Sequence, residues 1–389
     1  AANQIGVLGS SGGVIDLDRD YGGFNARWRL QREWQGGQLD LSAGVAGDRQ
    51  NDVRRGYENF VGAPASRTLG VAGALRRDEI NRATALNPYA RAAWQKEDWT
   101  LEGGVRRVSA RYASSDAYLL NGDQSGGVKF GEYLPVVGAR WQLAPQLQAF
   151  ASVGRGLETP TLNEVAYRSD GGAGLNTDLN ASRSTSSEIG LRGRNAAGLW
   201  NATLFNIRTR DEIVVARTID GRATFTNGGS TKRQGLELSA EYGMGSVTLS
   251  SAYTYLRARY GSGTASIPDG NRMPGLPEHQ LFAQLAWSPT FARSVGGVFT
   301  LDARHVGSVF ADNANSAKTA LAEKYTLLGV AARFEQTSGV WTWREFVRID
   351  NVTDRKHVGS VIVNDGNGRF FEPGLGRAVS AGIELTRRF

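Results

Sequence analysis

From about Gly22 to Phe389 the chain repeats one rhythm: an alternating run, a short turn, a second alternating run, then a long polar stretch. Near the end, Val379, Ala381, Ile383, Leu385 and Phe389 fall on one parity, and Ser380, Gly382, Glu384, Thr386 and Arg388 on the other. Strand side chains point to opposite faces with period two, so such a run has one apolar and one polar face. Leu39, Leu41, Ala43 and Val45 repeat the pattern, as do Trp99, Leu101, Gly103 and Val105, then Leu236, Leu238, Ala240 and Tyr242. Leu281, Ala283, Leu285 and Trp287 follow it, and so do Phe299, Leu301 and Ala303.

Short turns are expected at Gln35–Gly37, Lys96–Asp98, Ala144–Gln146, Asn195–Gly198, Gly243–Gly245, Pro289–Gly296 and Thr337–Gly339. Seven hairpins and a last strand at Arg377–Phe389 predict an all-β meander of about fifteen strands. The joining stretches are long and polar, as at Gly47–Ala83, Ala113–Lys129, Thr159–Ser182 and His357–Gly376, apart from a tight reversal near Ile219–Arg222. Short turns at one end and long loops at the other are the polarity of a transmembrane antiparallel β-barrel. Trp34, Trp99, Tyr242, Trp287 and Trp341 lie at or beside the short turns, where an interfacial aromatic girdle belongs. A soluble β-sandwich or propeller is the competing reading, but its strands are shorter and its turns similar at both ends.

Composition changes this picture little. Fifty glycines against ten prolines suit tight turns and crowded walls, and the absence of cysteine excludes disulfides and thiolate metal sites. A mean hydropathy of −0.35 does not argue against a membrane, because only alternate residues of a barrel strand face lipid. The net charge of +7 is spread along the chain, so nucleic acid is not an expected partner. Ala1–Ser10 shows neither an initiator Met nor a signal-peptide pattern and reads as processed or truncated.

Four segments together resemble TonB-dependent outer-membrane receptors. They are GRGLETPTLNE (Gly154–Glu164), NGGSTKRQGLELSAEY (Asn227–Tyr242), RIDNVTDRKH (Arg348–His357) and the terminal GRAVSAGIELTRRF (Gly376–Phe389). The resemblance implies a 22-strand barrel of which this chain holds the C-terminal strands. It implies an N-terminal plug and a TonB box upstream, and residues 1–21 as the remnant of an extracellular loop before a barrel portion at 22–389. A fragment of this kind is expected to be open, strained shut or unstable alone, and not to support coupled import. Phe389 would be the aromatic residue read by the barrel-assembly machinery; Arg387 departs from the apolar residue usual two places earlier. The implied setting is the bacterial outer membrane and its lipids, and the implied state a monomer.

No catalytic site is expected. His279, His305 and His357 fall on three separate elements, and His305 and Ser308 lie at odd spacing, on opposite strand faces. Gly228–Lys232 lacks phosphate-loop spacing, and Gly374 and Gly376 do not continue into a dinucleotide fingerprint. No metal site and no cofactor is expected, and there is no haem-receptor histidine motif. Binding is the better class, since aromatic planes and Arg forks suit flat anionic chelates. The candidates are Arg54, Arg55, Tyr57, Phe60, Arg76 and Arg77 in the first long loop, and Tyr112, Tyr118 and Tyr133 around the second. Tyr167 and Arg168 lie in the third, and Phe310, Phe370 and Phe371 in later loops. For any one of them, loop packing or solvated charge is the simpler role. The resemblance implies energy-coupled uptake through the TonB complex of a small anionic iron chelate, a ferric siderophore above all. Import of a corrinoid or quinone, or a passive porin or barrel enzyme, are the alternatives.

Overall fold

The computed structural model describes residues 13–63, 66–165, 175–219, 222–264 and 267–388. Fifteen long strands form a single antiparallel meander in chain order. They are β1 Val14–Trp34, β2 Gly37–Tyr57, β3 Leu75–Lys96, β4 Trp99–Asp116, β5 Gly126–Ala144, β6 Leu147–Glu158, β7 Ser182–Arg194 and β8 Gly198–Arg210. They continue as β9 Ser230–Met244, β10 Val247–Ser262, β11 His279–Trp287, β12 Val295–Val306, β13 Tyr325–Ser338, β14 Trp341–Asp350 and β15 Ala378–Arg387. A short strand, Thr290–Ala292, pairs with β12. One helical turn, α1 (Leu162–Val165), follows the Pro-Thr-Leu segment, where Glu164 and Thr161 cap each other. The alternation therefore predicts the number and order of the wall strands.

The bounds differ at the loop ends. β1 starts at Val14, where residues up to Tyr21 pair with Gln50–Tyr57; the expected loop before Gly22 is strand from Val14 onward. The first loop shrinks to 58–74, and it and the last loop carry small hairpins of their own, Phe60–Val61/Thr68–Leu69 and Val358–Val361/Phe371–Pro373. The reversal near 219–222 joins a loop hairpin, Ile213–Ile219/Arg222–Asn227, between β8 and β9. Two turns sit slightly later than expected, at Gly245–Ser246 and Gly339–Val340. Phe389, Tyr167 and Arg168 lie outside the described residues.

The chain divides into two compact units. The first, Ala1–Gly138 with Val153–Thr185 and Thr209–Gly229, contains β1–β4. Gln35 and Gly36 both have positive φ, 50° and 72°, so β1 and β2 join through a two-residue turn whose twist matches the strands. On one face of β2, Leu39, Leu41, Ala43, Val45 and Gly47 oppose Trp94, Ala92, Ala90, Pro88 and Leu86 of β3. Leu101, Gly103 and Val105 of β4 continue those rows. Among the described residues this face is left uncovered: Trp28 is 57% and Leu101 45% exposed. The opposite face is polar and stitched by ion pairs, Arg29 to Asp40, Arg91 to Glu102 at 2.6 Å and Arg19 to Asp52 at 2.7 Å. From Gly37 to Gly47 the apolar rows rise about 25 Å for strands tilted about 40°, the height of a hydrocarbon belt. Beyond that row both faces of β1–β4 are largely polar.

The second unit, Ala139–Ser152 with Ser186–Arg208 and Ser230–Phe389, contains β9–β15. Leu249, Leu285, Leu301 and Val330 form one apolar row across β10–β13, and Trp287 meets Phe299 at 5.4 Å nearer the turns. The short turns gather at one end. Ser288 N–H donates to Ser246, Thr337 to Ser294 and Arg388 to Val340. At the other end the loops bond to one another, as Gly275 N–H does to Phe310 and Asn364 N–H to Ala311. Arg387 lies on the apolar face of β15 and covers the Trp341 ring at 5.5 Å. That stacking gives the departing arginine an interfacial seat.

Candidate functional site

The polar face of β10–β14 and the loop at 351–377 enclose a cleft of about 840 Å³ within the second unit. Its floor follows from strand parity. Phe282, Arg304 and Leu327 form one cross-strand row, and Gln284, Asp302 and Gly329 the next. Arg348 binds Asp302 at 2.9 and 3.3 Å and Asp350 at 2.7 Å, so one guanidinium answers two carboxylates. Gly329 makes room for this group, since a Cβ there would approach Asp302 Oδ2 to 2.6 Å.

The loop above is held by the asparagine and aspartate of the Arg348–His357 segment. Asn351 is buried with φ 50°, a conformation asparagine tolerates better than most residues. Its side-chain amide donates to the carbonyls of Arg355 and Leu375, and its oxygen accepts the Arg355 N–H at 2.8 Å. Asp354 accepts the Arg377 N–H at 2.8 Å, closing the loop's two ends together. His357 packs on Tyr325 with ring centres 4.5 Å apart, and its Nδ1 donates to the Arg355 carbonyl. Gly374 lies against the imidazole where no Cβ would fit. The spacing Asn-x-x-Asp is thus a loop-closing device that sets the cleft's roof.

Arg304 is exposed in this cleft and has no hydrogen bond or ion pair among the described residues. With Arg348 already neutralised, it is the cation open to a ligand. Phe282, Leu327 and Leu375 supply apolar surface beside it, and Gln280 an amide. A charge beside apolar walls can orient a small anionic molecule. Among the described residues no group of three or more His, Asp or Glu is placed to hold a metal ion.

The loop candidates divide. Arg54, Arg55 and Tyr57 lie on the last turnward-to-loop stretch of β2, and Arg76 and Arg77 at the start of β3. Arg55 pairs with Asp78 and Arg77 with Glu79, each at 3.4 Å, whereas Arg54 and Arg76 form no ion pair among the described residues. Phe60 is buried under Arg67 at 4.3 Å, and so acts in loop packing. Tyr112 meets Phe130 at 5.9 Å and Thr159 Oγ1 at 3.4 Å, while Tyr118 is half-buried in the second loop. Tyr133 of β5 is 62% exposed, and Arg107 of β4 covers its ring at 4.9 Å. Phe310 lies under Arg272 at 5.2 Å, beside the buried Tyr260–Asn313 hydrogen bond of 2.8 Å. Phe370 and Phe371 contact each other at 6.2 Å in the last loop. Phe282, Arg304 and Arg348 stand on wall strands rather than in loops, and the sequence signals them only through their place on the polar parity of alternating strands.

Residues 3–352 match the family model described as TonB dependent receptor-like, beta-barrel, and the chain belongs to that family. The ferric citrate transporter FecA, in its unliganded form, superposes with a TM-score of 0.78 at 19% identity, over 96% of this chain and 56% of that one. The ferric preacinetobactin receptor BauA of Acinetobacter baumannii gives 0.73 at 15%, over 95% and 55%. The copper transporter OprC gives 0.70 at 15%, over 95% and 56%. At these identities the likeness establishes the fold, and the chain spans about half the length of these structures. A multi-pass β-barrel of the bacterial outer membrane is the setting this family defines.

Proposed function

We propose that this chain is part of an outer-membrane receptor that captures a small anionic ferric chelate, foremost a ferric siderophore, and imports it when coupled to TonB and the proton gradient. The observation that carries this reading is Arg304, a cation on the polar wall with no ion pair among the described residues, beside Phe282 and beneath a pinned loop. The neighbours named for ferric citrate and ferric preacinetobactin support the same ligand class. Arg54 and Arg76 would add positive charge at the outer end of the first unit, where long-range attraction speeds encounter. The protein would act as a transporter rather than an enzyme, as a monomer among outer-membrane lipids, after insertion by the barrel-assembly machinery.

The apolar side of the cleft also fits a planar organic cofactor such as a corrinoid or quinone. Equilibrium binding to the full-length receptor separates the two readings. Probes would be an anionic ferric tricatecholate, ferric citrate, a neutral ferric hydroxamate, a corrinoid and a quinone. An anionic ferric chelate should bind tightest and lose affinity on Arg304→Ala. Tighter binding of the corrinoid or quinone, indifferent to Arg304→Ala, would replace the siderophore reading.

A further inference from the structure

Within the wall of the first unit, β3 carries a proline, Pro88, between two neighbouring strands. A proline cannot donate to a ladder and is ordinarily confined to edge strands and bulges. The β2–β3 ladder passes it unbroken, with Val45 opposite Pro88. On the β4 side, pairing runs from Glu79 and Asp116 to Ala85 and Ala110, and resumes only at Tyr89 and Arg106. Leu86, Asn87 and Pro88 thus face Arg107, Val108 and Ser109 without rungs. Lipid offers backbone groups no partner, so a gap at this level is costly. Side chains flank it instead. Arg107 donates to the Val108 carbonyl at 2.8 Å and covers the Tyr133 ring, and Arg106 lies over Tyr89 at 5.9 Å. Asn87 Oδ1 is buried here with no hydrogen-bond partner among the described residues.

The gap lies on a line that crosses β1 to β4. Leu86 opposes Gly47, and Gly47 opposes Phe24, which directly follows Gly22 and Gly23 of β1. Gly23 lies so close to β2 that a Cβ would stand 2.9 Å from the Gly47 carbonyl. A glycine pair weakens a strand interior and permits a bend. The apolar parity of β1 switches at this pair, since Phe24 and Trp28 below share a face with Asp18 and Asp20 above. Above the line, β1, β2 and β3 pair rung by rung as far as Ile15, Gly56 and Arg77. Arg19–Asp52 at 2.7 Å and Arg55–Asp78 at 3.4 Å tie that part together. Below it, Arg29–Asp40 and Arg91–Glu102 do the same. Two well-tied panels therefore meet where one strand has a glycine pair and one ladder is open.

We propose that this line is a hinge, on which the panel above the apolar belt tilts as one body relative to the membrane-spanning wall. Without rungs to β4, β3 can coil at Pro88 without dragging its neighbour, and Gly22–Gly23 lets β1 follow. The motion carries Arg54 and Arg76 with the panel, and it bends strands rather than rearranging a loop alone. The hinge lies within the first unit and does not depend on which molecule is imported.

Two measurements on the full-length receptor in lipid nanodiscs, without added ligand, test this. Hydrogen exchange should be at least roughly tenfold faster across residues 86–89 and 107–109 than across 90–95 and 100–105. Pro88→Val supplies the missing N–H and should bring the open segments close to the rate of their flanks. In double electron–electron resonance, spin labels on Asp18→Cys and Asp98→Cys report the distance from the upper panel to the β3–β4 turn. The distribution should be about twofold wider with Pro88 than with Pro88→Val. Should the valine variant fail to fold, Pro88→Ala restores the same N–H and takes its place. Uniform exchange along β3 and β4 in the wild-type receptor would overturn the open ladder. Equal distance distributions with Pro88 and in the folded variant would overturn the hinge.

Discussion

Arg348 grips Asp302 through two bonds, Nη1 to Oδ1 at 2.9 Å and Nη2 to Oδ2 at 3.3 Å, across the polar face of β12–β14. Asp302 is buried, so removing the guanidinium would strand a carboxylate away from water. Arg348→Leu should destabilise the barrel by about 2–3 kcal/mol. Asp302→Asn should cost less, because Asp350 still answers Arg348. Urea unfolding in lipid vesicles gives both values, and equal costs would contradict the pairing.

Asn351 ties both ends of the last loop with three hydrogen bonds and occupies a left-handed backbone position. Asn351→Gly keeps the conformation and loses the bonds; Asn351→Ala loses both. Amide exchange across residues 352–376 should therefore quicken in both variants and more in alanine. The strands β12–β14 should stay protected. Faster exchange in glycine than in alanine would show that the backbone conformation does not matter.

Leu301 and Thr300 are adjacent on β12 and point to opposite faces, Leu301 being 50% exposed beside Leu285 and Val330. If the apolar face meets lipid, Leu301→Arg should cost about 2–4 kcal/mol near the bilayer midplane. Thr300→Arg should cost under about 1 kcal/mol, as expected of a polar wall. Refolding yields and urea midpoints in vesicles report the difference.

In the second loop, hydrogen bonds from the Ser125 hydroxyl and backbone N–H hold the Asp123 carboxyl below its usual range. A depressed value adds stability that is fully present above the ordinary aspartate range and disappears as pH falls through the lower folded value. Proteolysis of residues 117–125 should thus be flat from about pH 8 to 5 and rise only below about pH 4. Asp123→Asn should abolish that acid-dependent rise. A transition near neutrality would point to a different group.

The wall strands were legible in the sequence because lipid on one face and polar groups on the other enforce strict alternation. The signal stopped where the physics did. Above the belt, Asp16, Asp18 and Asp20 lie on the face that carries Phe24 and Trp28 below, while Ile15, Leu17 and Tyr21 take the other face, so the apolar parity of β1 switches at Gly22–Gly23 and the single alternating run breaks there. The sequence therefore predicts loop where β1 begins, and a first long loop wider than the 58–74 of the structure. The cleft was less legible still, because Phe282, Arg304 and Arg348 meet only through cross-strand register and a loop folded back by Asn351. Phe60 and Phe310 resembled ligand contacts in the sequence, yet the structure gives both arginine partners within the loops.

Uptake of radiolabelled iron by cells carrying the full-length receptor tests the central claim most directly, using the anionic ferric chelate that binds it best. The account predicts import that stops when the proton gradient is collapsed or TonB is absent. It also predicts that Arg304→Glu lowers binding and uptake together by roughly tenfold or more, with a larger effect at low salt. Uptake that continues without the gradient and TonB, or that is unchanged in a folded Arg304→Glu receptor, would contradict it.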